Sequence, residues 1–194
     1  MKFATPFSTF LGSLLVLLGS TTNLVNAECS DVHVVFARGS GEMAGLGLCG
    51  EPLVSGITYK LSGMSVSSYA VNYAASMDQS SAGPGATDMT NHVVASVTSI
   101  AIGIKTMLGS GDSIPENLAP RIKAVVTFGN PLKLMGQTIE SASSTYGPKA
   151  IEFCSQGDPV CGSGFNTMAH MTYTADGSVT AAAEKAAALV KGSS

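Results

Sequence analysis

The sequence predicts a three-layer α/β/α sandwich built on a mostly parallel sheet, and three observations carry that expectation. Short, nearly continuous runs of apolar, β-branched residues recur along the chain, as strands covered on both faces require. Between them lie stretches with apolar residues three or four positions apart, the spacing of a helix with one buried face. Two of the apolar runs stop at glycine-containing turns, and open parallel sheets place ligands at that edge.

Residues 31–37 (DVHVVFA) form the first strand, which stops at Arg38-Gly39-Ser40-Gly41-Glu42. Pro52 opens a helix to about Leu61, with Leu53, Ile57 and Leu61 along one face. Residues 66–73 read as a second strand and 80–85 as a loop, after which Asp88 starts a helix carrying Met89, Val93, Val94 and Val97. A further strand is expected over 122–128 (IKAVVTF), ending in Gly129-Asn130-Pro131, and another over 150–154. Residues 178–191 form an Ala-rich helix with Ser178 as its N-cap. One stretch breaks the alternation. Residues 88–108 (DMTNHVVASVTSIAIGIKTML) stay helix-like throughout, with no strand or turn signal between Ser99 and Ile100.

Residues 1–27 have the anatomy of a secretory signal peptide: Lys2, an apolar run over 10–19, and the small-residue ending Val25-Asn26-Ala27. No later run approaches the roughly twenty apolar residues of a membrane span. A secreted mature chain over 28–194 is therefore expected, about the right size for one domain with its own core. A net charge of −3 with no Lys/Arg cluster argues against nucleic acid or an anionic membrane as partner. The absence of tryptophan and an aromatic content of 6% argue against a carbohydrate-binding module with aromatic platforms.

Four cysteines in an oxidising compartment allow three disulfide pairings. Cys154–Cys161 is favoured because the interval is short and turn-rich, which leaves Cys29 and Cys49 to pair with each other or to lack a partner. Inside that loop sits Asp158, and His170 follows twelve residues later in CSQGDPVCGSGFNTMAH. An acid and an imidazole held in fixed relation are what a general base and its orienting carboxylate need. His33 falls in the first strand, and His92 stands four residues after Asp88 on a helix. Neither has metal-type companions, so no metal and no other cofactor is expected.

Three segments, CSDVHVVFARGSGE (29–42), AVVTFGNP (124–131) and the 154–170 loop with its GDPVC core, resemble the cutinase family of secreted serine esterases. That family includes cutinases and related acetylxylan esterases on a small α/β-hydrolase fold. The resemblance implies that Asp158 is the triad acid and His170 the triad base. It also implies that Ser40 is an oxyanion-hole residue and that Cys154 and Cys161 form the disulfide that clamps the acid loop. An ester substrate, cutin polymer or short acyl ester, and a monomeric enzyme follow from the same resemblance.

The family's nucleophile stands in G-Y-S-Q-G, an elbow between a strand and a helix. No serine in this chain has glycine at both −2 and +2. Ser155 in Ser155-Gln156-Gly157 lies inside the acid loop with Phe153 where the first glycine belongs, and Ser110 follows a helix. The elbow belongs where the alternation breaks, so an internal loss of roughly twenty residues is expected there: a cysteine-bearing loop, a central strand and the nucleophile. The sheet should then be narrow or creased near Ser99. Two functions are expected to compete: carboxylic ester hydrolysis by lineage, and binding of a polymer or host protein by a secreted chain that has lost catalysis. Met43, Leu46 and Leu48 line an acyl pocket on one reading and form a loop tip on the other.

Overall fold

The computed structural model describes residues 30–95, 100–101 and 113–192. The expected signal peptide, Cys29 and Ser110 lie outside them.

Strand β1 (Val32–Phe36) has the expected two-sided burial: Val34 and Val35 point to opposite faces and both are fully buried. Val32, Val34 and Phe36 enter one core with Leu53, Ile57 and Leu61 of helix α1 (Gly47–Lys60, with Leu61 its C-cap). Helix α4 (Ser178–Lys191) adds Val179, Ala182, Ala183, Ala186 and Ala187 to the same core. Its alanines and Gly56 let α1 and α4 touch, since a Cβ at Gly56 would stand 2.8 Å from the Ala183 Cβ. The opposite face of the sheet is covered by helix α2 (Ala82–Ala95), where Met89 and Val93 pack with Val35, Val71, Ile122 and Val125. Helices lie on both faces of parallel strands, as an α/β/α sandwich requires.

The strands pair in two groups. Strand β2 (Val66–Ala70) runs parallel to β1, Val32 opposite Val66 through Phe36 opposite Ala70. Strand β3 is only Ile100–Ala101 and pairs parallel with β1 at Val34 and Val35. Strands β4 (Val125–Phe128) and β5 (Ala150–Phe153) pair parallel in a second sheet. The order is β2-β1-β3 and β4-β5, with no ladder between β3 and β4 among the described residues. One core nonetheless spans both groups, because Ala124, Val126 and Ile151 pack with β1, α1 and α4. Side chains bridge a gap that backbone hydrogen bonds do not.

Several boundaries differ from expectation. Helix α1 starts five residues before Pro52, which lies inside it. Gly50 permits this start, because a Cβ there would meet the Phe36 ring at 2.7 Å. Helix α2 begins at Ala82, inside the expected loop, and takes Gly83-Pro84-Gly85 as its first turn. Proline is tolerated there because first-turn N–H groups have no partner inside the helix. Gly85 then sits against Tyr73, whose ring would be 2.9 Å from a Cβ. The continuous helix read over 88–108 is also corrected: α2 ends at Ala95, and Ile100–Ala101 is strand. Gly177, not Ser178, caps α4, and the Ser178 N–H is taken by Asp176 Oδ1 at 2.9 Å. Finally, His33 and His92, read as unrelated residues, meet across the contact between β1 and α2.

Candidate functional site

Strand β5 delivers the chain to Cys154, which is bonded to Cys161 across a seven-residue separation. Inside this clamp the backbone folds on itself: Asp158 N–H donates to Ser155 O and Gly162 N–H to Asp158 O, both at 3.0 Å. Gly157 turns the loop with a φ of +87°, and its carbonyl would lie 2.1 Å from a Cβ at Gly164, so both positions call for glycine. Asn166 donates its N–H to Gly157 O and accepts from Met168 N–H at 3.1 Å, capping the short 3₁₀ turn Thr167–Met171 that carries His170. The loop and the turn that follows it thus fix the acid relative to the base.

Asp158 is fully buried. Its Oδ1 accepts from Val160 N–H at 2.8 Å, and its Oδ2 accepts from His170 Nδ1 at 2.9 Å and from the Tyr173 hydroxyl. Burial pushes the Asp158 carboxyl up, but the hydrogen bonds from Tyr173, His170 and Val160 outweigh it and hold the carboxyl below its usual range. With the His170 Nδ1–H given to the carboxylate, Nε2 keeps its lone pair, the tautomer a general base needs. The His170 side chain is 35% exposed, so the base is reachable. Its ring lies on the end of β4: a Cβ at Gly129, where φ is +69°, would stand 2.4 Å from the His170 Cε1. That contact accounts for glycine at the end of the AVVTFGNP segment. Asn130, also buried, locks the next turn by donating to Glu152 Oε1 at 2.9 Å and accepting from Leu132 N–H at 3.1 Å.

Tyr173 is the residue that sequence reasoning missed. It is buried, accepts from Ser155 N–H at 3.2 Å, and stands edge-on to the His170 ring. Burial and the neighbouring Asp158 carboxylate push its hydroxyl far up, so it stays a donor. Its only signal in the sequence is the spacing His170-x-x-Tyr173, which sets two rings on one side of a tight turn.

Ser40 is exposed in the turn after β1, at the same C-terminal end of the parallel strands. Among the described hydrogen bonds none links it to Asp158 or His170. The turn itself is tied down by Arg38, a buried cation that donates from Nε to Glu42 O at 2.9 Å and from Nη2 to Tyr73 O at 2.6 Å. Glu42 Oε2 accepts in turn from the N–H groups of Gly39 and Leu48, both at 3.2 Å. Leu46 packs into the core, whereas Met43 is 89% exposed and Leu48 is exposed beside it, so these residues do not act as one wall. Ser155 points away from the base, giving its hydroxyl to Asp176.

The cysteines resolve in part. Cys49 carries a free thiol, and Cys29, the other candidate for that pairing, lies outside the described residues. Burial, with Glu42 and Asp176 nearby, pushes that thiol up to about 11, an unreactive range. Cys154, Asp158 and Cys161 lie close enough together to resemble a metal site, but both sulfurs are spent in the disulfide and offer no thiolate. No helix among the described residues is long and apolar enough to cross a membrane.

A family model described as Cutinase matches residues 28–189. A cutinase of Kineococcus radiotolerans is 49% identical over 186 residues, covering 85% of this chain; the chain spans 63% of that protein's length. Carboxylesterase Culp1 of Mycobacterium tuberculosis is 35% identical over 200 residues, covering 89% of this chain and 92% of its own. Among solved structures, Trichoderma reesei cutinase in complex with a phosphonate inhibitor superposes with a TM-score of 0.63 at 24% identity, over 84% of this chain and 77% of that one. An acetyl xylan esterase gives 0.64 at 18% identity, over 85% and 99%.

Proposed function

The chain belongs to the cutinase family, and from that premise we propose that it derives from a secreted, monomeric carboxylic ester hydrolase and retains two of three triad members. Asp158 orients and stabilises the imidazole, and His170 Nε2 takes the proton of a nucleophile. Ser40 supplies N–H and hydroxyl donors toward a developing oxyanion. The nucleophilic serine is the missing part. The observation that carries this reading is the 2.9 Å contact between His170 Nδ1 and the buried Asp158, in a chain with no G-x-S-x-G serine.

Two further observations support an internal loss. The alignment to the Kineococcus cutinase runs over 186 positions but takes up 85% of 194 residues, about 165, some twenty fewer. For Culp1, 89% of 194 is about 173 against 200 aligned positions. The two-residue β3, unpaired on its β4 side among the described residues, stands where the missing strand and elbow belong. Each ladder group left unpaired in the interior costs about 1–3 kcal/mol, so the sheet is weakened where the serine was lost.

Without its serine the pair is left with base-assisted attack by water, and loss of a triad serine costs on the order of a millionfold in turnover. The mature chain, residues 28–194, is expected to leave p-nitrophenyl butyrate unhydrolysed above background. Inserting the Kineococcus relative's elbow segment between Ser99 and Ile100 should restore hydrolysis that a serine-directed phosphonate blocks. Phosphonate-sensitive hydrolysis by the unmodified chain would sink the proposal, because another serine would then be acting. The second reading, binding without catalysis, draws on Phe165, 98% exposed, and on the exposed Met43, Leu48 and Met168. Retention of the inactive chain on cutin would favour it.

A further inference from the structure

Away from the Asp158–His170 pair, the structure joins two histidines that are 59 residues apart in sequence. His33 Nε2 on β1 and His92 Nε2 on α2 lie 2.7 Å apart. Each ring is held from behind. His33 Nδ1 stands 2.6 Å from Ser67 Oγ on β2, and Ser67 Oγ is 2.5 Å from Ser30 Oγ. Tyr69, on the same face of β2 as Ser67, stacks flat on the His92 ring at 3.6 Å and 4°. Its hydroxyl donates at 3.0 Å to Asp88 Oδ2, one helical turn before His92, and that oxygen also accepts from Asn72 N–H at 2.8 Å.

This geometry sets the protonation. Two Nε2 atoms at 2.7 Å share one proton, so one ring presents a lone pair to the other's N–H. Either ring can be the one whose Nε2 lone pair faces inward, and the Ser67 hydroxyl can serve His33 Nδ1 as acceptor or as donor accordingly. Burial disfavours the charged form of both rings; His92 adds to that effect on His33, while Asp88 works against it on His92. The pair is two neutral imidazoles with converging ring nitrogens, both on partly exposed residues.

We propose that His33 and His92 form a two-histidine site for a divalent transition-metal ion of the zinc, nickel or copper kind, which takes the place of the proton between their Nε2 atoms and clamps α2 to β1. Neutral imidazole suits these ions. Metal–nitrogen bonds of about 2.0–2.1 Å meeting at a tetrahedral or square angle set the two nitrogens about 2.9–3.4 Å apart, so from 2.7 Å the rings must part slightly and turn both lone pairs toward an ion set to one side of the present N···N line. His92 binds as its Nδ1–H tautomer, so no net proton is released from the two neutral rings. The Ser67 contact behind His33 is the kind of outer support that fixes tautomer and ring plane in metal-ligating histidines. Water completes the coordination, which makes the site reversible.

The chain has 3 histidines, so their ring signals report the site directly. Adding Ni²⁺ to the mature chain should broaden the His33 and His92 proton resonances together, by one equivalent, and leave His170 sharp. Zn²⁺ should shift the same two resonances and raise the thermal unfolding midpoint. His33→Gln and His92→Gln should each weaken Ni²⁺ binding by at least about tenfold. Broadening of His170 first, of all three rings equally, or of none would overturn the site. So would glutamine variants that bind as tightly as the parent. If a variant does not fold, the pattern of broadened rings in the parent chain still decides.

Discussion

The two sides of the sheet differ in how completely they are built. On the β4–β5 side the acid, the base, their disulfide-clamped loop and the buried Tyr173 are mutually hydrogen-bonded, and Gly129 seats the imidazole on the sheet. On the β1–β3 side the turn carrying Ser40 is equally well tied by Arg38 and Glu42, but β3 is two residues long. An ordered Asp–His pair thus stands beside a strand of two residues. Its order is therefore local: the loop's own hydrogen bonds and disulfide hold Asp158 against His170. Catalysis, unlike local order, requires both sides at once.

The largest test of that comparison is chemical. In a chain with the elbow segment restored, Asp158→Asn should lower turnover by about ten-thousandfold by leaving His170 in the wrong tautomer; a loss below tenfold would show that the 2.9 Å contact is incidental. Next comes the core that both sides share. Leu53→Ala should cost about 2–5 kcal/mol in urea unfolding, within a single transition. Two separated transitions would mean that the β1 and β4 groups fold apart. Tyr173→Phe strips one donor from the buried carboxylate and leaves Ser155 N–H without its acceptor, which should cost about 1–3 kcal/mol. No measurable change would make Tyr173 a packing residue only.

The smallest effect is a pH dependence that separates the two sides. Asp158 sits below its unfolded value, so its contribution is complete above that value, about 3.9, and is lost as pH falls through the folded one. His33 and His92 are also held below their unfolded value, about 6.5, in the neutral form. Their contribution is complete above that pH and shrinks as pH drops below it. A loss of stability starting near pH 6 that disappears in His33→Gln, while the more acidic limb remains, would separate the two sides. A loss unchanged by that substitution would place the titration elsewhere.

Much of this was legible in the linear chain. The two-sided apolar run of β1, the glycine after β4 and the acid loop all announce themselves locally. The loop was readable because its constraints, a short disulfide, a glycine turn and an Asn cap, act within seventeen residues. The starts of α1 and α2 were not, because Gly50 and Gly85 count against a helix until Phe36 and Tyr73 fill the space a Cβ would take. Tyr173 carried no motif beyond its spacing from His170. The absence of a G-x-S-x-G serine could be read directly, since an elbow is a local pattern and no serine here satisfies it.

By itself, the sequence determined the layer architecture and the family. The layers follow from short-range periodicity and the family from the resemblance carried by three short segments, both of which the chain holds before it folds. Only the tertiary structure decided that no ladder joins β3 to β4 among the described residues, that Asp158 is wholly buried under Tyr173, and that His33 meets His92. The first and last depend on parallel strands and a crossover helix bringing together segments tens of residues apart, the second on the turn after His170 folding back over the loop, and no local pattern encodes which side chains then face one another.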